Sequence, residues 1–149
     1  PRSTLFPYTT LFRSTDYKYT IGLNFLKKTV TRNNINNNIY FWDTAGSERY
    51  RTVNALFYRG SDACILVFDL TKIKTFYNIG YWMDEFLLNA SPVQADKFPF
   101  VLLGNKSDLV NDYTVGEKMI ENLCKQRNIK YFSVSAKTKS NYASGLGCQ

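Results

Sequence analysis

Apolar residues along this chain follow two alternating rhythms. Residues 64–68 (Cys-Ile-Leu-Val-Phe) and 100–103 (Phe-Val-Leu-Leu) are unbroken apolar runs that end at Asp69 and Gly104. Short runs of this kind predict strands buried on both faces, as in a parallel sheet covered by helices. A further run, residues 129–134, interrupted by Lys130 and Ser133, stops at Ser135. Between the runs the spacing changes. Phe76, Ile79, Met83, Phe86 and Leu87 recur every three or four positions, which places one apolar stripe along a helix. Val115, Met119, Ile120 and Leu123 repeat the pattern ahead of Asn128. Strands alternating with helices predict βαβ units with right-handed crossovers, hence an α/β fold with a doubly wound, mostly parallel sheet.

The first half reads differently. Residues 24–32 predict a strand, and the Asn-rich stretch Asn33, Asn34, Asn36, Asn37 and Asn38 predicts a turn, because Asn tolerates left-handed backbone angles. Residues 39–42 (Ile-Tyr-Phe-Trp) then predict the return strand of a hairpin.

In open α/β sheets ligands bind beyond the C-terminal ends of the strands. The residues at those positions are Asp43-Thr44-Ala45-Gly46, Asp69-Leu70-Thr71, Asn105-Lys106-Ser107-Asp108 and Ser135-Ala136-Lys137. Taken singly, each reads equally well as a polar loop or turn. Asp-Thr-Ala-Gly also matches an aspartic protease loop, but that chemistry needs a second carboxylate in a matching loop, and the chain has none.

Composition narrows the chemistry. The 149 residues suffice for one domain with a sizeable core, and 44% hydrophobic with 21% charged residues is ordinary for a globular chain. The absence of His excludes Ser-His-Asp and Cys-His triads and imidazole acid–base chemistry. Three cysteines without C-x-x-C spacing argue against a disulfide framework or a thiolate metal site, and favour a cytoplasmic setting. No apolar run is long enough to span a bilayer as a helix. The net charge of +7 is scattered, without a basic stripe interleaved with aromatics, so nucleic acid is not the expected partner.

In order and spacing, the four post-strand motifs together resemble the guanine-nucleotide-binding motifs of the small GTPases. Thr20-Ile21-Gly22-Leu23-Asn24-Phe25, Trp42-Asp43-Thr44-Ala45-Gly46 and Phe57-Tyr58-Arg59-Gly60 narrow the resemblance to the Rab branch. Asp84-Glu85-Phe86-Leu87, Ala90-Ser91-Pro92 and Phe98-Pro99-Phe100 are most similar to its late-endosomal and lysosomal members. The likeness runs from about residue 16 to residue 137.

The resemblance implies a sheet of the P-loop NTPase type and GTP or GDP with Mg²⁺ as ligands. Asp108 would accept the two adjacent donors of guanine and reject adenine. Asn105 would brace the loop, while the stems of Lys106 and Lys137 would pack on the two ring faces. Ala136 would donate its N–H to the guanine oxygen, and Ser135 would hold its loop. Thr20 would ligate Mg²⁺, Asp43 would contact it through water, and the Gly46 N–H would reach the terminal phosphate. Ile21, Gly22, Phe25, Trp42 and Phe57 match the surface read by Rab effectors. From the residues alone, however, Trp42 and Phe57 read as core. Further implied partners are exchange factors and GTPase-activating proteins, with the chain a monomer associated with late endosome, lysosome or vacuole membranes.

Three departures qualify the likeness. No G-x-x-x-x-G-K-[ST] occurs, and residues 1–14, on the side where the family carries that phosphate loop, contain no Gly. Residues 1–14 are therefore read as foreign to the domain, 15–143 as an incomplete GTPase domain and 144–149 as a truncated tail. The first strand, phosphate loop and first helix are expected to be missing, with a gap in the sheet where that central strand belongs, and the last helix is expected to be cut short. Ser47 stands where the family has the Gln that positions the attacking water, so hydrolysis is expected to be slow. Cys148 lies next to the end outside a C-a-a-X context, so no prenyl anchor can be read. The expected function is a GTP-binding and GTP-hydrolysing switch in vesicle traffic, impaired in this chain. The alternative is a non-hydrolysing effector-binding module or a non-functional fragment.

Overall fold

The computed structural model describes Thr20, residues 23–46 and residues 51–142. Strands β1 (Leu23–Arg32) and β2 (Ile35–Thr44) form an antiparallel hairpin, followed by helix α1 (Arg51–Tyr58). Then come β3 (Cys64–Asp69), α2 (Ile73–Ala90), β4 (Phe100–Asn105), α3 (Glu117–Arg127), β5 (Lys130–Ser135) and the short β6 (Ser140–Tyr142). Strands β3, β4 and β5 are parallel neighbours, and β6 closes that sheet antiparallel to β5. Among the described residues no ladder joins the hairpin to the four-stranded sheet.

The hairpin turn is shorter than the Asn-rich stretch suggests. Only Asn33 and Asn34 form it, both with positive φ, 52° and 60°. Two consecutive left-handed residues match the twist of the flanking strands, which favours a two-residue connection. Asn36, Asn37 and Asn38 belong to β2. Their strand register is supported across the pair: Thr29 Oγ1 donates to Asn38 Oδ1 at 2.8 Å and Thr31 Oγ1 to Asn36 Oδ1 at 2.6 Å.

The four-stranded sheet carries the core. Leu66 and Phe68 of β3 and Phe100 and Leu102 of β4 share one buried cluster with Phe76, Ile79, Met83 and Phe86 of α2 and Ile120 and Cys124 of α3. Helix α1 joins the same side through Tyr58, whose ring lies 5.1 Å from that of Phe86. The opposite face departs from the expectation of two covered faces, because Ile65 and Val67 remain 45% and 48% exposed. Alternation along a strand sends successive side chains to opposite faces, and the α2–α3 layer covers only one.

Two helix ends and one strand end bear on the site. Ser91 after α2 and Asn128 after α3 adopt left-handed caps that return the chain toward β4 and β5. At Gly104 a Cβ would lie 2.6 Å from Tyr131 Oη and 3.2 Å from Leu70, so only glycine lets β4 pass its neighbours there.

Candidate functional site: the C-terminal ends of the parallel strands

Strands β3, β4 and β5 end side by side at Asp69, Asn105 and Ser135, so their following loops converge. Asn105 ties two of them together: its Oδ1 accepts the N–H of Lys106 at 2.8 Å and that of Ala136 at 3.1 Å. Across the same junction Ser135 Oγ donates to Asp108 Oδ1 at 2.6 Å and accepts the Thr138 N–H at 3.1 Å. The Ser107 N–H adds a third bridge to Val134 O, and Tyr113 Oη donates to Ser107 O. The Ser135–Asp108 and Ala136–Asn105 bonds join residues 27 and 31 positions apart in sequence. The network fixes Asp108, Asn105 and Ala136 next to one another where the loops after β4 and β5 meet.

Burial assigns these groups different tasks. Ser135 is 2% exposed, a buried hydroxyl that orients Asp108. Asp108 is half-buried, and its second carboxylate oxygen has no partner among the described residues. A carboxylate accepts through both oxygens, and each has lone pairs to spare beyond a single bond. Lys137 is exposed beside Ala136. Lys106 takes a left-handed backbone, φ 67°, and its ammonium reaches Asp69 Oδ2 at 2.7 Å.

The other end of the predicted site lies at the hairpin. Asp43 closes β2 opposite Asn24 in the ladder. Burial raises the Asp43 carboxyl above its ordinary range, and a side-chain hydrogen bond with Asn24 partly offsets this. Thr20 is half-buried, and Gly46 is exposed with open space around its Cα. Ile21, Gly22 and Ser47 fall outside the described residues. Carboxylate and hydroxyl oxygens are the donor types Mg²⁺ takes, and it takes few from protein. Asp43 and Thr20 have that chemistry. Among the described residues no group of three or more acidic or Cys side chains gathers as a self-sufficient metal cage.

Phe25, Trp42 and Phe57 come together in a stack. Trp42 lies 4.7 Å from Phe25 and 5.4 Å from Phe57, ring centre to ring centre. Phe25 and Trp42 stay about half exposed, contrary to the core reading of Trp42 made from residue type. Tyr40 extends the row by stacking on Phe25 at 5.8 Å, with Lys27 over its ring. Sequence reading missed Tyr40, although its cross-strand position beside Phe25 follows from hairpin alternation. It also missed Asn54 of α1, fully buried, whose Nδ2 donates to Ala45 O at 2.7 Å and ties α1 to the Asp-Thr-Ala-Gly segment.

The family model of the Ras family matches residues 3–146. The chain belongs to that family. Three relatives refine the placement: Ras-related protein Rab7 of Cenchrus ciliaris, 44% identical over 138 residues, Ras-related protein Rab-7a of Dictyostelium discoideum, 45% over 129, and Ras-related protein RABG3f of Arabidopsis thaliana, 43% over 138. These alignments cover 91%, 86% and 91% of the chain and 67%, 64% and 67% of the respective relatives. The chain is thus a Rab small GTPase of the Rab7 branch that spans about two thirds of the length of these relatives. The convergence at Asn105, Asp108, Ser135 and Ala136 lies beyond the C-terminal ends of β4 and β5, the side on which open α/β sheets bind ligands. No helix among the described residues is long and apolar enough to cross a membrane.

Proposed function

We propose that this chain recognises the guanine base of GTP and GDP through the loops after β4 and β5, as one half of a nucleotide-dependent switch. The observation that carries the reading is the bond from Ser135 Oγ to Asp108 Oδ1, which holds a half-buried carboxylate at the junction of the β4 and β5 loops. Asp108 would pair with guanine's two adjacent donors. Adenine presents an acceptor at the first of these positions, so the same carboxylate repels it. Lys106 and Lys137 would cover the two ring faces with their apolar stems. The Ala136 N–H, now donating to Asn105 Oδ1, would be shared with the guanine oxygen.

At the other end, Thr20, Asp43 and Gly46 would face the phosphates and Mg²⁺, which would supply charge neutralisation when bound. Ser47 is too short to hold water where the family's Gln does, so turnover would be slow. Phosphate contacts contribute much of nucleotide affinity, and no G-x-x-x-x-G-K-[ST] occurs in the 149 residues, so binding would rest mainly on the base. The stacked Phe25, Trp42 and Phe57 would meet effectors of late-endosomal, lysosomal or vacuolar traffic, with exchange factors and GTPase-activating proteins as further partners. A second reading, effector binding without hydrolysis, is favoured by that aromatic row, which is assembled on the hairpin and α1.

The test is a titration of the full chain with GMP and with AMP, followed by amide shifts. Two charge-assisted hydrogen bonds predict a preference for GMP on the order of 100-fold, abolished by Asp108→Asn. Equal binding of both nucleotides would overturn the reading.

A further inference from the structure

We infer that Asp69 is a positioning residue for base recognition, holding the arm of Lys106 in place as a preformed wall of the proposed purine site. The inference rests on the guanine-site reading above and adds a residue to it. Both oxygens of the Asp69 carboxylate are committed. Oδ1 accepts the Thr71 N–H at 2.9 Å and Thr71 Oγ1 at 2.7 Å, and Oδ2 pairs with Lys106 Nζ at 2.7 Å. The backbone beneath is fixed as well, because the Asp69 N–H donates to Thr75 Oγ1, in the first turn of α2, at 2.9 Å. Asp69 is therefore a rigid anchor set into the end of β3.

Lys106 is held at both ends. Its N–H donates to Asn105 Oδ1, its backbone sits at φ 67°, and its ammonium is tethered to Asp69. Between those two points the four methylenes have no choice but to span from the β4 loop to the β3 end. A free lysine arm samples many rotamers and must surrender them when a ring stacks on it. A tethered arm has surrendered them beforehand, which is how preorganisation raises affinity without a new ligand contact. The pair differs from ordinary surface ion pairs, which contribute little. The Asp69 side chain is only 14% exposed, and burial alone would raise its carboxyl, yet the donors from Lys106 and Thr71 bring it below the ordinary range.

The experiment uses the full chain with GMP as probe, AMP as control and thermal melting as a check on folding. Asp69→Asn keeps the Thr71 contacts and removes the charge, and it should weaken GMP on the order of tenfold. Asp69→Glu should recover part of that loss. Lys106→Met keeps an apolar stem but has no ammonium to tether, so in that background Asp69→Asn should cause no further loss. A wild-type chain that prefers GMP while Asp69→Asn leaves its affinity unchanged would overturn the inference and leave the guanine reading standing. An equal loss in the Lys106→Met background would also overturn it, because Asp69 would then act on the fold and not through Lys106. No preference for GMP in the wild-type chain would sink both.

Discussion

The loops after β4 and β5 and the hairpin end around Asp43 contribute to one proposed site, yet they are held in opposite ways. At the proposed base-reading end, Asn105, Ser135 and Asp108 form a network across the loops after β4 and β5, above a buried core. At the hairpin end, two strands pair only with each other among the described residues. An isolated two-stranded hairpin is marginal in water. Here it is fastened to the rest through α1, by the Asn54 bond to Ala45 O and the Trp42–Phe57 stack. Charge follows the same division. Asp69 has donors that favour its ionised form, whereas Asp43 is half-buried with a carboxamide as its partner and is pushed toward its neutral form. Among the described residues the hairpin end is therefore the less firmly held of the two, and segments that move come from the low-stability part of a structure.

The largest expected effect tests the loosely held end. In the chain joined to an upstream segment carrying G-x-x-x-x-G-K-[ST], Ser47→Gln should speed single-turnover GTP hydrolysis about 100-fold, the scale on which a positioned catalytic side chain acts. Unchanged turnover would break the account of Ser47. Next in size is the rigid end. Ser135→Ala removes the bonds to Asp108 and to the Thr138 N–H, and should lower unfolding free energy by about 1–3 kcal/mol in urea titration. A loss below that range would show the base-reading loops to be less rigid than their bonds imply.

The smallest effect separates the two carboxylates by sign. The Asp69 carboxyl lies below its ordinary value of 3.8 in the folded chain, so its stabilisation is present above that pH and disappears as pH falls through the lowered value. The Asp43 carboxyl lies above 3.8, so its ionised form opposes folding at neutral pH, and that opposition fades as acid protonates it. Asp43→Asn should therefore stabilise the chain at neutral pH, and Asp69→Asn should destabilise it. Urea melts of the two variants moving in the same direction would erase the contrast.

Local regularity explains what could be read in advance. Residues 64–68 and 100–103 announce β3 and β4 because uninterrupted apolar runs have few other destinations, and the Phe76–Ile79–Met83 spacing announces α2. The convergence of the positions after the strands was legible because strand ends are fixed once strands are. The Asn-rich stretch misled, since the conformational tolerance of Asn says where a turn is permitted and not where Thr29 and Thr31 will find partners. Helix α1 escaped notice because its eight residues are too few for a convincing periodic stripe.

Sequence by itself named the candidates for the proposed site: a carboxylate at 108, an amide at 105, a hydroxyl at 135 and a lysine on either side, each tied to the end of a strand whose apolar pattern is local. Only the tertiary structure decided which of them touch. The Asp69–Lys106 tether, the Ser135–Asp108 bond and the half-exposed Phe25–Trp42–Phe57 row join residues far apart in the chain. A contact of that kind depends on strand order and on which face is covered, and these are set by how the elements bury apolar surface together, a property no single segment carries.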